Sequence, residues 1–493
     1  MHAAFRRARR AAPLAAGLPA LLLVACAAQP RQSPGTAEAA HAASAVAAAP
    51  SAAAVRMLAQ RIDVRGAHGR LDSRQRQALL HRLSSQGQAT LLQRQLAATA
   101  AVGEAEVLAG NRVQLLIDGP QTFDSVFRAI EAARRSVLVE SYIVEDAQIA
   151  RRLSELLRRK RAQGLQVAMI YDAIGSFGTD KAYFDELRAA GVQVCAFNPP
   201  ASVRPRERQP ATERDHRKIV AVDRQVAFTG GINISAVYSS GSGSGRRRLG
   251  GSGGATDDKT GAGWRDTHVR VQGTAAQALD QLVRQTWQAQ GCEGALAAVP
   301  PPPAAAAPDT TGDAVLVVPT EPDDDHSRVY ALLMAAFDTA QRSIHVTMAY
   351  FAPGSDMVSA LADAARRGVD VQLVPPSKSD FQPVMLAGQS HYQTLLDAGV
   401  QLHEFQGAVL HAKTVVVDGV WSTVGSSNLD YRSFTGNNEI NLVVLGEDFG
   451  ALMQRQFDAD VAASRPVTAG SWARRPLVQR LKELGARLLE RLW

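Results

Sequence analysis

Histidine and lysine two residues apart, followed by a fixed run to an aspartate, occur twice in this chain. The first string is His216-x-Lys218, four residues, Asp223, six residues, then Gly230-Gly231-x-Asn233. The second is His411-x-Lys413, four residues, Asp418, six residues, then Gly425-Ser426-x-Asn428. A lone His-x-Lys is uninformative; two copies with equal internal spacing point to one chemistry assembled from two halves. An imidazole can attack phosphorus and become a phosphohistidine. A second imidazole can give a proton to the departing alkoxide and take one from the incoming alcohol or water. Two lysines and two asparagine side chains, Asn233 and Asn428, can hold the non-bridging oxygens of a phosphodiester and the charge that grows on them. With lysines in the place of a cation, neither a metal nor another cofactor is needed. Zinc is disfavoured, since no CxxC or HExxH pattern supplies ligands.

These residues need elements to aim them. In an extended strand, residues two apart share a face, so one strand delivers both imidazole and ammonium. Lys218–Val222 and Lys413–Val417 are β-branched runs that end at the aspartates. Asp223-Arg224 and Asp418-Gly419 read as tight turns, with return strands over 226–229 and 420–424, so each motif is expected to be a hairpin. Asp223 and Asp418 complete the strings and are counted with His216, Lys218, His411 and Lys413 as the catalytic set. A carboxylate at a strand end can equally serve to tie down its turn.

The duplication extends beyond the motifs. Residues 127–137 and 333–344 each run from a helical pattern into a strand. Second helices are expected over 147–163 and 356–367, with Gly164 and Gly368 as C-terminal stops leading into further strands. The run LRAAGVQV at 187–194 matches LDAGVQL at 396–402. Helices and strands alternating twice over argue an α/β fold of two pseudo-twofold-related lobes, each a mixed β-sheet flanked by helices, with the active site between them.

The remaining segments order the chain. Residues 1–25 combine a basic start, Arg6, Arg7, Arg9 and Arg10, with an apolar stretch too short and small-residue-rich for a membrane span. With those four of the 54 basic residues set aside, 50 face 47 acidic ones, so the remainder is only mildly basic. That suits a phosphodiester or an anionic surface. Residues 26–60, rich in Ala, Pro and Ser, read as a disordered tether. Residues 61–110 read as a helical extension packed on the first lobe. The lobes are assigned to 111–299, with a Gly/Ser/Arg insertion at 239–263, and 313–465, joined by a Pro/Ala linker at 300–312. Residues 466–493 read as an amphipathic helix, suited to a membrane surface or to docking on the second lobe. Cys195 reads as a buried strand residue; a disulfide to Cys292 is open.

The paired HxKxxxxD strings resemble those of the phospholipase D superfamily. Over about residues 111–465 the resemblance is to bacterial cardiolipin synthases of the two-motif type. It is carried by Asp118-Gly119, Glu140-Ser141-Tyr142-Ile143, Trp264-Arg265-Asp266-Thr267-His268, Gly425-Ser426-Ser427-Asn428-Leu429-Asp430 and Asn438-Glu439. The resemblance implies phosphatidyl transfer between glycerophospholipids (phosphatidylglycerol, phosphatidylethanolamine or cardiolipin) at a membrane surface. It also implies an acidic partner for each motif histidine: Glu439 downstream of His411, and Asp266 downstream of His216. Hydrolysis, as in a phospholipase D or a phosphodiesterase, would use the same residues. Nucleic acid is a less suitable partner, because aromatics make up only 5% of the chain and the charge is nearly balanced. Leu23-Val24-Ala25-Cys26 resembles a bacterial lipobox, implying lipid on Cys26 and a membrane-anchored lipoprotein of the cell envelope facing the periplasm. Oligomeric state is not legible.

Overall fold

The computed structural model describes residues 62–84, 88–103, 106–200, 210, 212–242, 263–300, 308–322 and 327–492. The leader, Cys26, the tether, and most of the insertion and the linker lie outside the described residues.

Seven strands build the first lobe: β1 (Glu106–Ile117), β2 (Ser136–Ser141), β3 (Gln166–Asp172), β4 (Gln193–Phe197), β5 (Lys218–Val222), β6 (Val226–Gly230) and β7 (Thr267–Gln272). Their order is β4-β3-β2-β5-β6-β7-β1, parallel among β2, β3 and β4 and antiparallel elsewhere. The second lobe has β8 (Asp313–Thr320), β9 (Ser343–Met348), β10 (Asp370–Val374), β11 (Gln401–Phe405), β12 (Lys413–Val417), β13 (Trp421–Gly425) and β14 (Asn437–Leu445). Its order, β11-β10-β9-β12-β13-β14-β8, reproduces the first lobe strand for strand. Helices link the parallel strands, as a crossover requires. Gln148–Ala162 and Gly354–Arg366 are each followed by a glycine at positive φ, Gly164 (87°) and Gly368 (90°), which ends the helix and turns the chain into β3 or β10.

The lobes share more than a linker. β1 pairs with β8, through Asn111 with Asp313 and Leu108 with Val315. One core cluster interleaves Leu138, Ile219 and Val269 of the first lobe with Val416, Val424 and Leu442 of the second. Each such side chain contributes about 1.5–3 kcal/mol on burial. All nine positions of β14 are buried. Cys195 in β4 is bonded to Cys292, after the helix Thr274–Ala289, with Cα atoms 5.6 Å apart.

Two segments depart from the sequence reading. The extension is not wholly helical: a short hairpin, Asp63–Gly66 with Gly69–Arg70, precedes the helices Ser73–Leu83 and Ala89–Val102. Nor do those helices pack on the first lobe. Leu91, Leu92 and Leu96 join the second-lobe cluster with Leu332, Leu333 and Ala336, and the Gln95 amide donates to the Ala336 carbonyl. The reason lies in β1, which begins at Glu106 beside β8, so the chain before it emerges at the seam. The C-terminal segment is broken as well. Ser464–Val467 adds an antiparallel edge strand to β11, and a single turn, Ala469–Ala473, precedes the helix Leu477–Leu488. Pro476 lies between these two helical pieces, where it cannot supply an amide to a continuing helix.

Candidate active site

The backbone just before each motif strand leaves its own lobe. Arg214-Asp215 pairs in parallel with Asn437-Asn438, and the His216 amide donates to the Asn438 carbonyl at 2.9 Å. The other motif repeats the arrangement: Arg265 bridges Leu410, and the His411 amide donates to the Arg265 carbonyl at 2.8 Å. The next residue on each facing segment is an acid. His216 Nδ1 lies 3.0 Å from both carboxylate oxygens of Glu439. His411 Nδ1 lies 2.8 Å from Asp266 Oδ2. The expectation that each acid serves the histidine of its own half is therefore corrected: the pairs are crossed. Each imidazole comes from one lobe and its carboxylate from the other, because the cross-lobe bridges set the two in register.

Further contacts fix the acids. Ser426 Oγ donates to Glu439 Oε2, and the Asn437 amide donates to Oε1 at 3.3 Å. The Thr267 amide donates to Asp266 Oδ1 at 2.7 Å. Gly231 occupies the place of Ser426 in the first string, and only glycine fits: a Cβ there would sit 2.2 Å from Asp266 Oδ1. Arg265 is clamped by two 2.8 Å hydrogen bonds to Asp460, and Arg217 spans to the Glu439 carbonyl at 3.2 Å.

Burial sets the protonation states. It pushes the His216 imidazole down to about 4 against the pull of Glu439. His411 is lowered by burial and by Lys413. Burial alone would raise Glu439, but His216, Lys218 and Ser426 hold it near about 2. Asp266 is likewise lowered, since His411 and Lys413 outweigh its burial. Both imidazoles are thus neutral beside ionised carboxylates, donating from Nδ1. That tautomer leaves Nε2 with a lone pair. Lys218 and Lys413 sit behind them, each ammonium donating back to the carbonyl of its own motif histidine. Burial lowers Lys218 to about 7 and Lys413 to about 8.

Both histidines line one cleft of about 480 Å³, together with Asn233 and Asn428. Asn233 Oδ1 accepts from the Ile143 amide, and Asn428 Oδ1 is buried with no hydrogen-bond partner among the described residues. Asp223 and Asp418 are elsewhere, and counting them as catalytic is corrected. Each closes a turn in which it takes positive φ (55° in both) at the far end of its strand. Asp223 accepts from the amides of Arg134, Arg135 and Ser136 at 2.7–2.8 Å. Asp418 accepts from those of Gln341, Arg342 and Ser343 at 2.7–3.1 Å. They tie the hairpin to the start of the antiparallel strand beside it, β2 or β9.

Several cleft residues were missed in the sequence. Tyr238 places its hydroxyl 3.0 Å from His411 Nδ1, and the Trp264 ring stands 5.4 Å from the same imidazole. Both flank the insertion, one at each end. Tyr142 stacks edge-on to His216 at 4.9 Å. It closes β2 in the first half as Tyr350 follows β9 in the second, a signal present in the internal repeat. Both tyrosines line the cleft.

Comparison with known proteins adds independent information. Residues 126–240 and 333–461 match the family described as cardiolipin synthase, PLD-like domain. A cardiolipin synthase of Geobacillus thermodenitrificans (strain NG80-2) is 33% identical over 392 residues, covering 79% of this chain and 74% of that protein. Cardiolipin synthase A of Pseudomonas aeruginosa (strain LESB58) is 33% identical over 381 residues, covering 77% and 72%. Among solved structures, a phosphatidylserine synthase from Haemophilus influenzae Rd KW20 shares the fold, with a TM-score of 0.55 at 13% identity, covering 81% of this chain and 100% of that one.

Proposed function

This chain belongs to the cardiolipin synthase family of phospholipase D-like proteins, and from that membership we propose that it is a phosphatidyltransferase acting between glycerophospholipids. The observation that carries the reading is the crossed pair of braced histidines lining one cleft, with a lysine behind each. An anionic phosphodiester entering the cleft favours the charged form of both lysines and of one imidazole. The neutral imidazole attacks phosphorus through Nε2 while the bond to the leaving alkoxide breaks, and the protonated one hands that oxygen its proton. The resulting phosphohistidine is attacked by a hydroxyl of the second lipid. That hydroxyl gives its proton to the second imidazole, and the phosphorus–nitrogen bond breaks, restoring both rings. Lys218, Lys413, Asn233 and Asn428 hold the non-bridging oxygens throughout.

Phosphatidylglycerol is the proposed donor and acceptor, at an envelope membrane to which lipid on Cys26 would tether the chain. Purified protein with phosphatidylglycerol vesicles should yield cardiolipin and free glycerol, resolved by mass. His216→Ala and His411→Ala should each reduce the rate by about 10³-fold or more. Phosphatidic acid alone, even with added alcohols, would make the enzyme a hydrolase. Cleavage of a simple phosphodiester or of DNA without any lipid product would remove the lipid assignment.

A further inference from the structure

The C-terminal helix Leu477–Leu488 is turned the wrong way for a helix stabilised by its apolar face. Leu477, Leu481, Leu484 and Leu488 recur at helical spacing, and such a stripe ordinarily packs inward. Here each is more than half exposed, Leu488 by 79%. The residues facing the protein are Glu483, Ala486 and, in the turn beyond, Glu490. Specific contacts impose this orientation. Glu483 is held by Arg475 at 2.9 Å, and Glu490 meets His391 Nε2 at 2.9 Å and accepts from the Gly354 amide at 3.2 Å. Glu490 therefore ties the end of the helix to the second lobe, while Glu483 is braced by Arg475 just ahead of the helix, so the buried side is the polar one.

The exposed ridge continues into the active-site cleft. Leu492, 68% exposed, also lines the cleft, as do Phe381 and Val384 beside it. The first lobe offers an exposed apolar tip of its own near the cleft: Ile174 and Phe177, the latter 82% exposed, in a turn whose Gly175 abuts the cleft residue Tyr142. Asp172 ties that turn to the motif backbone, accepting from the amides of Ile174, Gly175 and Asp215. Charge points the same way. Between 474 and 492 the only acids are the two buried glutamates, whereas Arg480, Lys482, Arg487 and Arg491 are exposed.

We propose that this ridge is a bilayer-docking surface that seats the cleft mouth on an anionic phospholipid membrane, with the leucines among acyl chains and the basic residues at the headgroups. The inference rests on the phosphatidyltransferase reading. A two-chain lipid must present its phosphodiester to buried imidazoles while its acyl chains stay in an apolar medium. An apolar ridge continuous with the cleft lets it do so without crossing water. The membrane is favoured over a second protein because both lobes contribute apolar surface around the cleft and the helix that bears the ridge exposes only basic charges.

The test is the full chain carrying Leu481→Gln, Leu484→Gln and Leu488→Gln, none of which touches the cleft. Turnover of monomeric dihexanoyl phosphatidylglycerol should equal that of the unaltered protein, whereas turnover on long-chain phosphatidylglycerol vesicles should fall at least tenfold. With Cys26→Ser added to remove the proposed anchor, flotation with those vesicles should be lost only when the leucines are replaced. Equal turnover on vesicles, or equal loss on the monomeric lipid, overturns the proposal. So does light scattering that shows the leucines holding two copies together. Flotation that persists unchanged does the same. If neither lipid is turned over by the unaltered protein yet flotation depends on the leucines, docking stands and the transferase reading falls.

Discussion

At the scale of single residues, the site is a pair of buried imidazoles whose charge is governed from the opposite lobe. Glu439→Gln should therefore act on His216 and leave His411 almost untouched, with Asp266→Asn the reverse. In ¹⁵N-histidine spectra, the Nδ1–H signal of His216 should move in the first variant and that of His411 in the second. The opposite pattern would restore within-lobe pairing. Turnover should drop about 10²–10⁴-fold in each, since a general acid or base loses its oriented tautomer. The lysines give a pH signature. They hold phosphate only as ammonium ions, and burial lowers them to about 7 for Lys218 and about 8 for Lys413. The ratio kcat/KM reports groups of the free enzyme. It should fall at least tenfold per pH unit from pH 7 to 8 and more steeply above, as first Lys218 and then Lys413 loses its proton while the protonated imidazole also becomes scarcer. A profile flat from pH 7 to 9 would show that neither charge is needed.

At the scale of elements, the two motif hairpins are separable devices: one end carries the proposed chemistry, the other anchors the strand. Asp418 accepts from three consecutive-residue amides, and hydrogen bonds to a charged acceptor are worth about 1.5–3 kcal/mol each. Asn tolerates the same positive φ, so Asp418→Asn isolates the loss of charge. Denaturant unfolding should show a loss of about 3 kcal/mol, with turnover per folded molecule within about twofold of the original. Lost turnover at unchanged stability would return the aspartate to the chemistry. The aspartates are thus spaced from the histidines by the length of a strand, which is why they recur in the motif without sharing its cleft.

At the scale of the whole molecule, the lobes form one body. An irregular β1–β8 pairing, a mixed core and two crossed His–acid pairs mean that neither lobe holds the proposed catalytic unit complete. The Cys195–Cys292 bond closes a loop of 97 residues in the first lobe. Cross-linking of that span removes much of the disorder of the unfolded chain, so Cys195→Ser with Cys292→Ser should cost about 2–5 kcal/mol. Matched melts with and without dithiothreitol should show the loss in the parent protein and no reductant effect in the double variant. A parent protein indifferent to reductant would argue that the bond does not form in solution.

Much of this was legible in the chain. Duplicated spacing pointed to two hairpins, two lobes and one shared site, because strand periodicity and motif order are local properties. His216, Lys218, His411 and Lys413 could be named for the same reason: the types and spacing are themselves the chemistry. The partners were not legible. Glu439 pairs with His216 and Asp266 with His411 because segments more than 140 positions apart are bridged across the lobes, and no spacing within one half records that. Tyr238, at the edge of an uninformative insertion, reaches His411 for the same reason. The leucines of the last helix were visible as a stripe, but a stripe does not state which way it faces. Glu490, held by His391 of the second lobe, and Glu483, held by Arg475 just before the helix, turn it outward. Orientation is settled by which polar contacts the folded body offers, and only the tertiary structure holds that information.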